Sequence, residues 1–213
     1  MTAEEGKDYN KISILKDLIL FLHKKEAIKM GGDFTLSSGK KSKFYLDLRI
    51  LQSYPRYFRN SIFLLKKYIM NNIGLRNFEY ICSIPTSGTI FGSSLAYEIF
   101  RPHIYVRKNI KNYGTQKTFE GDLISNSKVL IVDDVMTTGN SLISSIELLK
   151  DKSIINDLLV FVDREQGTKD LLKKYEIKIH KIISMNDIFE ILYQNNRINE
   201  KDYLDLKNEL EKI

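Results

Sequence analysis

Apolar residues recur along the 213-residue chain in two alternating rhythms. Over 12–25, Ile12, Leu15, Leu18, Ile19 and Leu22 fall at the three-and-four spacing of one helical face. A Gly31-Gly32 break follows, and 34–49 reads as extended segments joined by a Ser-Ser-Gly turn at 37–39. The spacing predicts a second amphipathic helix over 57–71. Beyond it, short apolar runs at 80–84, 104–107, 129–132, 157–162 and 177–183 predict strands. Helices are predicted between them at 89–100, 142–150 and 168–175, the second with Leu142, Ile143, Ile146 and Leu149 on one face. Two more predicted helices, 186–194 and 199–212, close the chain. Unbroken apolar strands are buried on both faces, so the alternation predicts an α/β domain: a mainly parallel twisted sheet flanked by helices. The chain reads as a single domain, 1–213, with 1–50 contributing a helix and an N-terminal hood and 186–213 the C-terminal helices. In such a sheet ligands bind beyond the carboxyl ends of the strands, so the polar residues that follow each strand are the candidates.

The most informative of those follow the run at 129–132. The segment 129–141 reads VLIVDDVMTTGNS: an apolar strand, two acids, then a turn of hydroxyls and glycine opening into a helix. A helix N-terminus offers unpaired N–H groups and the positive end of its dipole, so Thr137, Thr138, Gly139, Asn140 and Ser141 form a cup for a phosphate, with Val135 and Met136 leading into it. Gly139 permits close backbone approach. The GxxxxGK[ST] pattern of the P-loop is absent. Acids beside a phosphate cup repel an anion unless a sugar stands between. Asp133 and Asp134 can accept hydrogen bonds from ribose 2′- and 3′-hydroxyls and stabilise positive charge developing on the ring. As a lone pair they would equally serve to cap the turn. Within thirteen residues, however, the order of strand, acids and turn resembles the phosphoribosyl pyrophosphate (PRPP) signature of the type I phosphoribosyltransferase family.

Three further segments resemble those of the orotate phosphoribosyltransferases within that family, and together the likeness runs from about 34 to 167. They are 34–49, FTLSSGKKSKFYLDLR, similar to the N-terminal substrate segment; 84–88, IPTSG, similar to the pyrophosphate loop; and 105–121, YVRKNIKNYGTQKTFEG, similar to the catalytic loop. The resemblance implies a type I phosphoribosyltransferase fold with a small N-terminal substrate-binding hood. It implies a pentosyltransferase that joins orotate to the phosphoribosyl group of PRPP, releasing pyrophosphate and serving pyrimidine synthesis. Lys111, Asp133 and Asp134 are then the expected catalytic residues. PRPP would be bound by Thr86, Ser87, Arg107, Lys108, Lys111, Tyr113 and the whole of 133–141, and orotate by Tyr45, Thr137 and Arg164. The planar fork of Arg164, which follows the strand at 157–162, suits a carboxylate. The resemblance also implies Mg2+ held mainly by PRPP and water, and a homodimer in which Lys108 and Lys111 reach the partner's site. Purine salvage relatives typically carry an Asp where Thr137 stands, and a hydroxyl cannot act as that base near neutral pH. Some bacterial members have Lys at the position of Ser37 and His at that of Tyr113; Ser37 cannot supply that charge, and Tyr113 can still hydrogen-bond a phosphate.

Composition narrows the alternatives. The net charge of +6 fits either a lysine-rich surface or an anionic ligand, and no block of five consecutive basic residues suggests a nucleic-acid tail. A basic loop at 108–121 that closes over a polyphosphate would exclude water and neutralise the leaving group. No apolar run reaches bilayer length, no basic segment precedes an apolar N-terminal core, and the one cysteine, Cys82, fits a reducing compartment, so a cytoplasmic location without membrane or nucleic-acid partners is expected. Cys82 lies in an apolar strand and reads as core. His23, His103 and His180 are far apart, which gives a transition-metal site little support. Two other readings stay open: a PRPP-sensing transcription regulator on the same fold, and a transferase for another base. The first needs a DNA-reading module, and the residues before Phe34 supply one convincing helix.

Overall fold

The structure, a computed structural model, describes residues 3–35, 39, 41–107, 118–166 and 174–211. They cluster into two compact units, Met1–Leu64 with Ile183–Ile213, and Leu65–Ile182.

In the second unit the strands β3 (Tyr80–Ser83), β4 (His103–Val106), β5 (Phe119–Glu120), β6 (Ser127–Met136), β7 (Ser153–Asp163) and β8 (Lys178–Ser184, its end crossing into the first unit) form one sheet in the order β5-β4-β3-β6-β7-β8. β3 runs parallel to both β4 and β6, and β6 parallel to β7; only the short β5 is shown antiparallel, against β4. The expected mainly parallel sheet is therefore what forms. Leu158, Leu159, Val160, Phe161 and Val162 are each fully buried, because β7 lies inside the sheet and both its faces are covered. On one face Val129, Ile131, Leu158 and Val160 pack with Leu142, Ile146 and Leu149 of helix α4 (Asn140–Leu149). On the other, helix α3 (Ser87–Ile99) lays Phe91 against Phe161, ring centres 6.0 Å apart, and Gly92 over Ser83. Each such aromatic removed from water contributes about 2–3 kcal/mol. Cys82 is wholly buried here and burial pushes its thiol up to about 12, so it is core, as expected, and stays a thiol. His180 is also buried: its Nε2 lies 2.7 Å from Asp157 Oδ1 and its Nδ1 3.3 Å from the Tyr68 hydroxyl, a polar chain toward the amino ends of the strands.

The first unit holds α1 (Ala3–Lys24), the hairpin β1 (Ile28–Thr35) and β2 (Lys41–Leu46), most of α2 (Pro55–Tyr68), α5 (Met185–Gln194) and α6 (Glu200–Glu211). Leu15, Leu18, Ile19 and Leu22 are buried as their spacing predicts, while Ile12, assigned to the same face, is exposed. Strand β1 starts at Ile28, earlier than the extended stretch expected from 34, and runs through the two glycines; Gly31, at φ +75°, accompanies a register shift in the hairpin. Phe44 packs edge-on against Phe189, and Glu209 of α6 accepts from the Ser42 hydroxyl (2.8 Å) and the Lys43 amide (3.0 Å) of β2. Ser184 and Asp187 exchange side-chain and backbone hydrogen bonds in a capping box that starts α5.

Other boundaries shift. Strand β6 runs four residues past its predicted end, to Met136, carrying both acids, and α4 begins at Asn140 rather than Leu142. The short β5 has too few residues to show a period. The predicted helix at 168–175 and the turn at 37–39 lie mostly outside the described residues, as does the end of the helix expected to reach 212.

Candidate active site

The carboxyl edge of the second unit's sheet gathers most of the predicted site residues. Ser83 of β3 pairs with Val132 of β6 and Tyr105 of β4, and Met136 of β6 pairs with Asp163 of β7. The segments that follow these strands are thereby brought side by side: Thr86 and Ser87 after β3, Arg107 after β4, Asp133 to Met136 at the end of β6 with the turn beyond, and Arg164 after β7. Arg164 is almost fully buried, with its amide donating to the Met136 carbonyl at 2.9 Å. It is therefore not a solvent-exposed surface arginine. Its neighbour Glu165 takes the Lys181 ammonium at 2.6 Å. Tyr45 lies on β2 of the other unit, where its hydroxyl accepts from Arg49 Nη2 at 2.8 Å, and Arg49 in turn grips Asp47. Lys108, Lys111 and Tyr113 lie outside the described residues.

Two helices open onto this edge with their first turns uncapped by side chains. α4 starts from Gly139 at φ +76°, a left-handed geometry that favours glycine, and α3 from Thr86. Their leading N–H groups have no carbonyl partner within the helix, so each N-terminus can take an anion. Thr137 and Thr138 lie in the turn, half-buried, ahead of Asn140 and Ser141 on the first turn of α4. The peptide joining Pro85 to Thr86 is cis.

The acids are held between these helix starts. Asp133 is 8% exposed, and its Oδ1 accepts the Asp134 amide at 2.9 Å. Burial, and then the neighbouring charge of Asp134, push the Asp133 carboxyl well above the usual carboxylate range. Asp134 is also raised by burial, less so because it accepts from Asp133 and from the Ser87 hydroxyl. Two carboxyls this close cannot both ionise freely; the hydrogen bond between them favours the proton on Asp133 and the charge on Asp134.

One residue escaped the sequence reading. A Cβ on Gly88 would stand 2.3 Å from Asp133 Oδ1 and 3.2 Å from its Cα, so α3 can approach the acids only because residue 88 has no side chain. The available signal was its place in the Ser-Gly step that opens α3, which spacing alone does not distinguish from an ordinary loop glycine.

Among the described residues no group of three or more His, Cys, Asp or Glu could hold a metal ion. Asp133 and Asp134 offer carboxylate oxygens at this edge, hard donors that suit Mg2+ and not a soft transition metal.

Known proteins place this arrangement. The phosphoribosyl transferase domain matches residues 48–194. The orotate phosphoribosyltransferase of Cenarchaeum symbiosum (strain A) is 38% identical over 174 residues, covering 81% of this chain and 86% of that one. The crystal structure of orotate phosphoribosyltransferase from Aeropyrum pernix matches with a TM-score of 0.72 at 32% identity, over 82% of this chain and 97% of that chain. The structure of Leishmania donovani UMP synthase matches with a TM-score of 0.81 at 26% identity over 93% of this chain, which spans 42% of that longer one. Fold and relatives agree: the chain belongs to the phosphoribosyl transferase domain family and, within it, to the orotate phosphoribosyltransferases.

Proposed function

We propose that the protein transfers the 5-phosphoribosyl group of PRPP to orotate, giving orotidine 5′-monophosphate and pyrophosphate in pyrimidine synthesis. The observation that carries this reading is the Asp133–Asp134 pair at the end of β6, Asp133 buried and Asp134 half-buried, tied to Ser87 and followed directly by the uncapped start of α4. A ribose 5-phosphate has the matching shape: hydroxyls at one end for the acids, a phosphate at the other for the turn. In the reaction a ring nitrogen of orotate, giving up its proton to the released pyrophosphate or solvent, bonds to the anomeric carbon as the bond from that carbon to the pyrophosphate oxygen breaks. The ring passes through oxocarbenium character, and ionised Asp134 stabilises that positive charge while accepting from a ribose hydroxyl.

The remaining residues fall into roles by where they stand. Thr137 to Ser141 would hold the 5′-phosphate. Thr86, Ser87 and Arg107 would take the pyrophosphate, with Lys108, Lys111 and Tyr113 closing on it. Arg164 would bind the orotate carboxylate beside Thr137, and Tyr45 is proposed as a third orotate contact. Asp133 and Asp134 would hold Mg2+ through ribose hydroxyls and water, and the ion when bound would offset charge on the pyrophosphate. We place the enzyme in the cytoplasm as a homodimer that shares its catalytic loop; no helix among the described residues is long and apolar enough to cross a membrane.

The test is an absorbance assay of base consumption with PRPP and Mg2+, orotate run beside uracil, hypoxanthine and adenine. Orotate alone should be consumed, with pyrophosphate released in equal amount. Turnover of uracil or a purine at a comparable rate, or none of orotate, would overturn the assignment.

A further inference from the structure

The guanidinium of Arg107 is engaged from behind by a residue that no part of the reaction has so far required. Arg107 stands just past the carboxyl end of β4, and Glu120 on the antiparallel β5. One carboxylate oxygen, Glu120 Oε1, accepts from both Nε (2.5 Å) and Nη2 of Arg107, and both side chains are half-buried. Two of the five N–H groups of the guanidinium are thereby committed, and among the described residues none accepts from Nη1, whose two N–H groups can meet a ligand. The pair is not needed to close the hairpin. Backbone pairing of Tyr105 with Glu120 and of Val106 with Phe119 sets its register, and the Arg107 amide reaches the Thr118 carbonyl at 3.0 Å. Gly121, at φ +103°, lets the chain leave against Ile104, where a Cβ would meet Ile104 Cγ2 at 2.8 Å.

We infer that Glu120 is a positioning residue for PRPP: its carboxylate holds the Arg107 guanidinium in one orientation at the sheet edge, so that Nη1 meets the pyrophosphate without first being ordered. A free arginine side chain must lose several rotatable bonds' worth of freedom when it grips a phosphate, and a side chain already held loses less. The inference rests on Arg107 being a PRPP ligand. A carboxylate that competed with pyrophosphate for the same cation would act with the opposite sign, lowering the PRPP KM when removed.

The test uses the full-length enzyme and four variants: Glu120→Ala, Glu120→Gln, Arg107→Ala and the double Arg107→Ala/Glu120→Ala. Steady-state KM values for PRPP and orotate are measured with inhibition by inorganic pyrophosphate. Glu120→Ala should raise the PRPP KM and the pyrophosphate inhibition constant by about tenfold, the scale of one hydrogen bond to a charged group, and leave the orotate KM within about twofold. Glu120→Gln keeps the accepting oxygen and should recover part of that loss, and it serves as the informative variant should the alanine form fail to fold. In the Arg107→Ala background, removing Glu120 should cost nothing more, because there is no guanidinium left to orient. Three results would overturn the inference: an unchanged or lowered PRPP KM in the Glu120 variants, additive losses in the double variant, or equal losses for both substrates. If Arg107→Ala itself leaves the PRPP KM unchanged, the assignment of Arg107 to PRPP falls, and the role of Glu120 falls with it.

Discussion

Burying Asp133 beside the half-buried Asp134 puts two carboxyls where water spreads their charge poorly, and burial raises both above the ordinary carboxylate range. A carboxyl with a raised folded-state value favours folding only while protonated. Its contribution is fully present below the ordinary value of 3.8 and is lost as pH rises through the raised one. Asp133→Asn keeps the Oδ1 acceptor and a hydrogen to donate but cannot ionise, so it should raise Tm at neutral pH by roughly 2–8 °C, taking about 1–2 kcal/mol of relieved cost. Thermal scans across pH should show that gain shrink toward zero as pH falls to the ordinary value; a gain independent of pH would mean the charge is not its source. Asp134→Asn removes the charge that the reaction uses. Turnover should fall by roughly a hundredfold or more with folding intact, and near-normal turnover would make the pair purely structural. Arg164→Ala should raise the orotate KM far more than the PRPP KM, at a cost of about 2–5 kcal/mol in binding. Equal effects on both substrates would remove Arg164 from the orotate side.

Individual elements bring these residues together with little slack. α3 meets the end of β6 at Gly88, where even a methyl group collides with Asp133. Gly88→Ala should therefore lower stability by about 1–3 kcal/mol, the usual cost of overpacking, and reduce turnover because Asp133 must move. A variant with wild-type Tm and turnover would show that the acids do not depend on this close approach. The element pattern itself was largely legible beforehand. Five apolar runs became β3, β4, β6, β7 and β8, because residues buried on both faces leave a mark that needs no partner to be seen. The errors fell at ends. Asp133 and Asp134 are polar, so the run was taken to stop before them, yet β6 continues through them while pairing with β7 as far as Met136. Ile12 matched the helical face by spacing and is exposed, because a period says which side a residue is on and not how far the packing extends.

At the scale of the molecule, the proposed homodimer has a direct test. If Lys111 acts in the partner's site, Lys111→Ala and Asp134→Asn enzymes should each be nearly inactive. Unfolding and reassembling equal amounts together should restore about a quarter of wild-type activity, since half the dimers are mixed and half of their sites carry neither lesion. Mass spectrometry of the mixture checks that subunits exchange; mixed dimers without recovered activity would confine the loop to its own subunit. The first unit takes its residues from both ends of the chain, α1 with the hairpin and α5 with α6, joined by contacts such as Phe44 with Phe189 and Glu209 with β2. The helix and hood expected from 1–50 and the helices from 186–213 thus belong to one body.

Sequence by itself determined the elements, their mainly parallel sheet and the segment 129–141 proposed to carry the chemistry, because burial period, helix-start chemistry and paired acids are local properties written in consecutive residues. It also marked Arg164 by its place after a strand. Tertiary structure alone decided what depends on distance between remote segments. That Asp133 sits under Gly88, that Ser87 donates to Asp134, that Arg164 is buried, and that Glu120 grips Arg107 all follow from which strands lie side by side. Short-range pattern carries no record of that order, since the energy that sets it comes from packing whole faces of the sheet against α3 and α4.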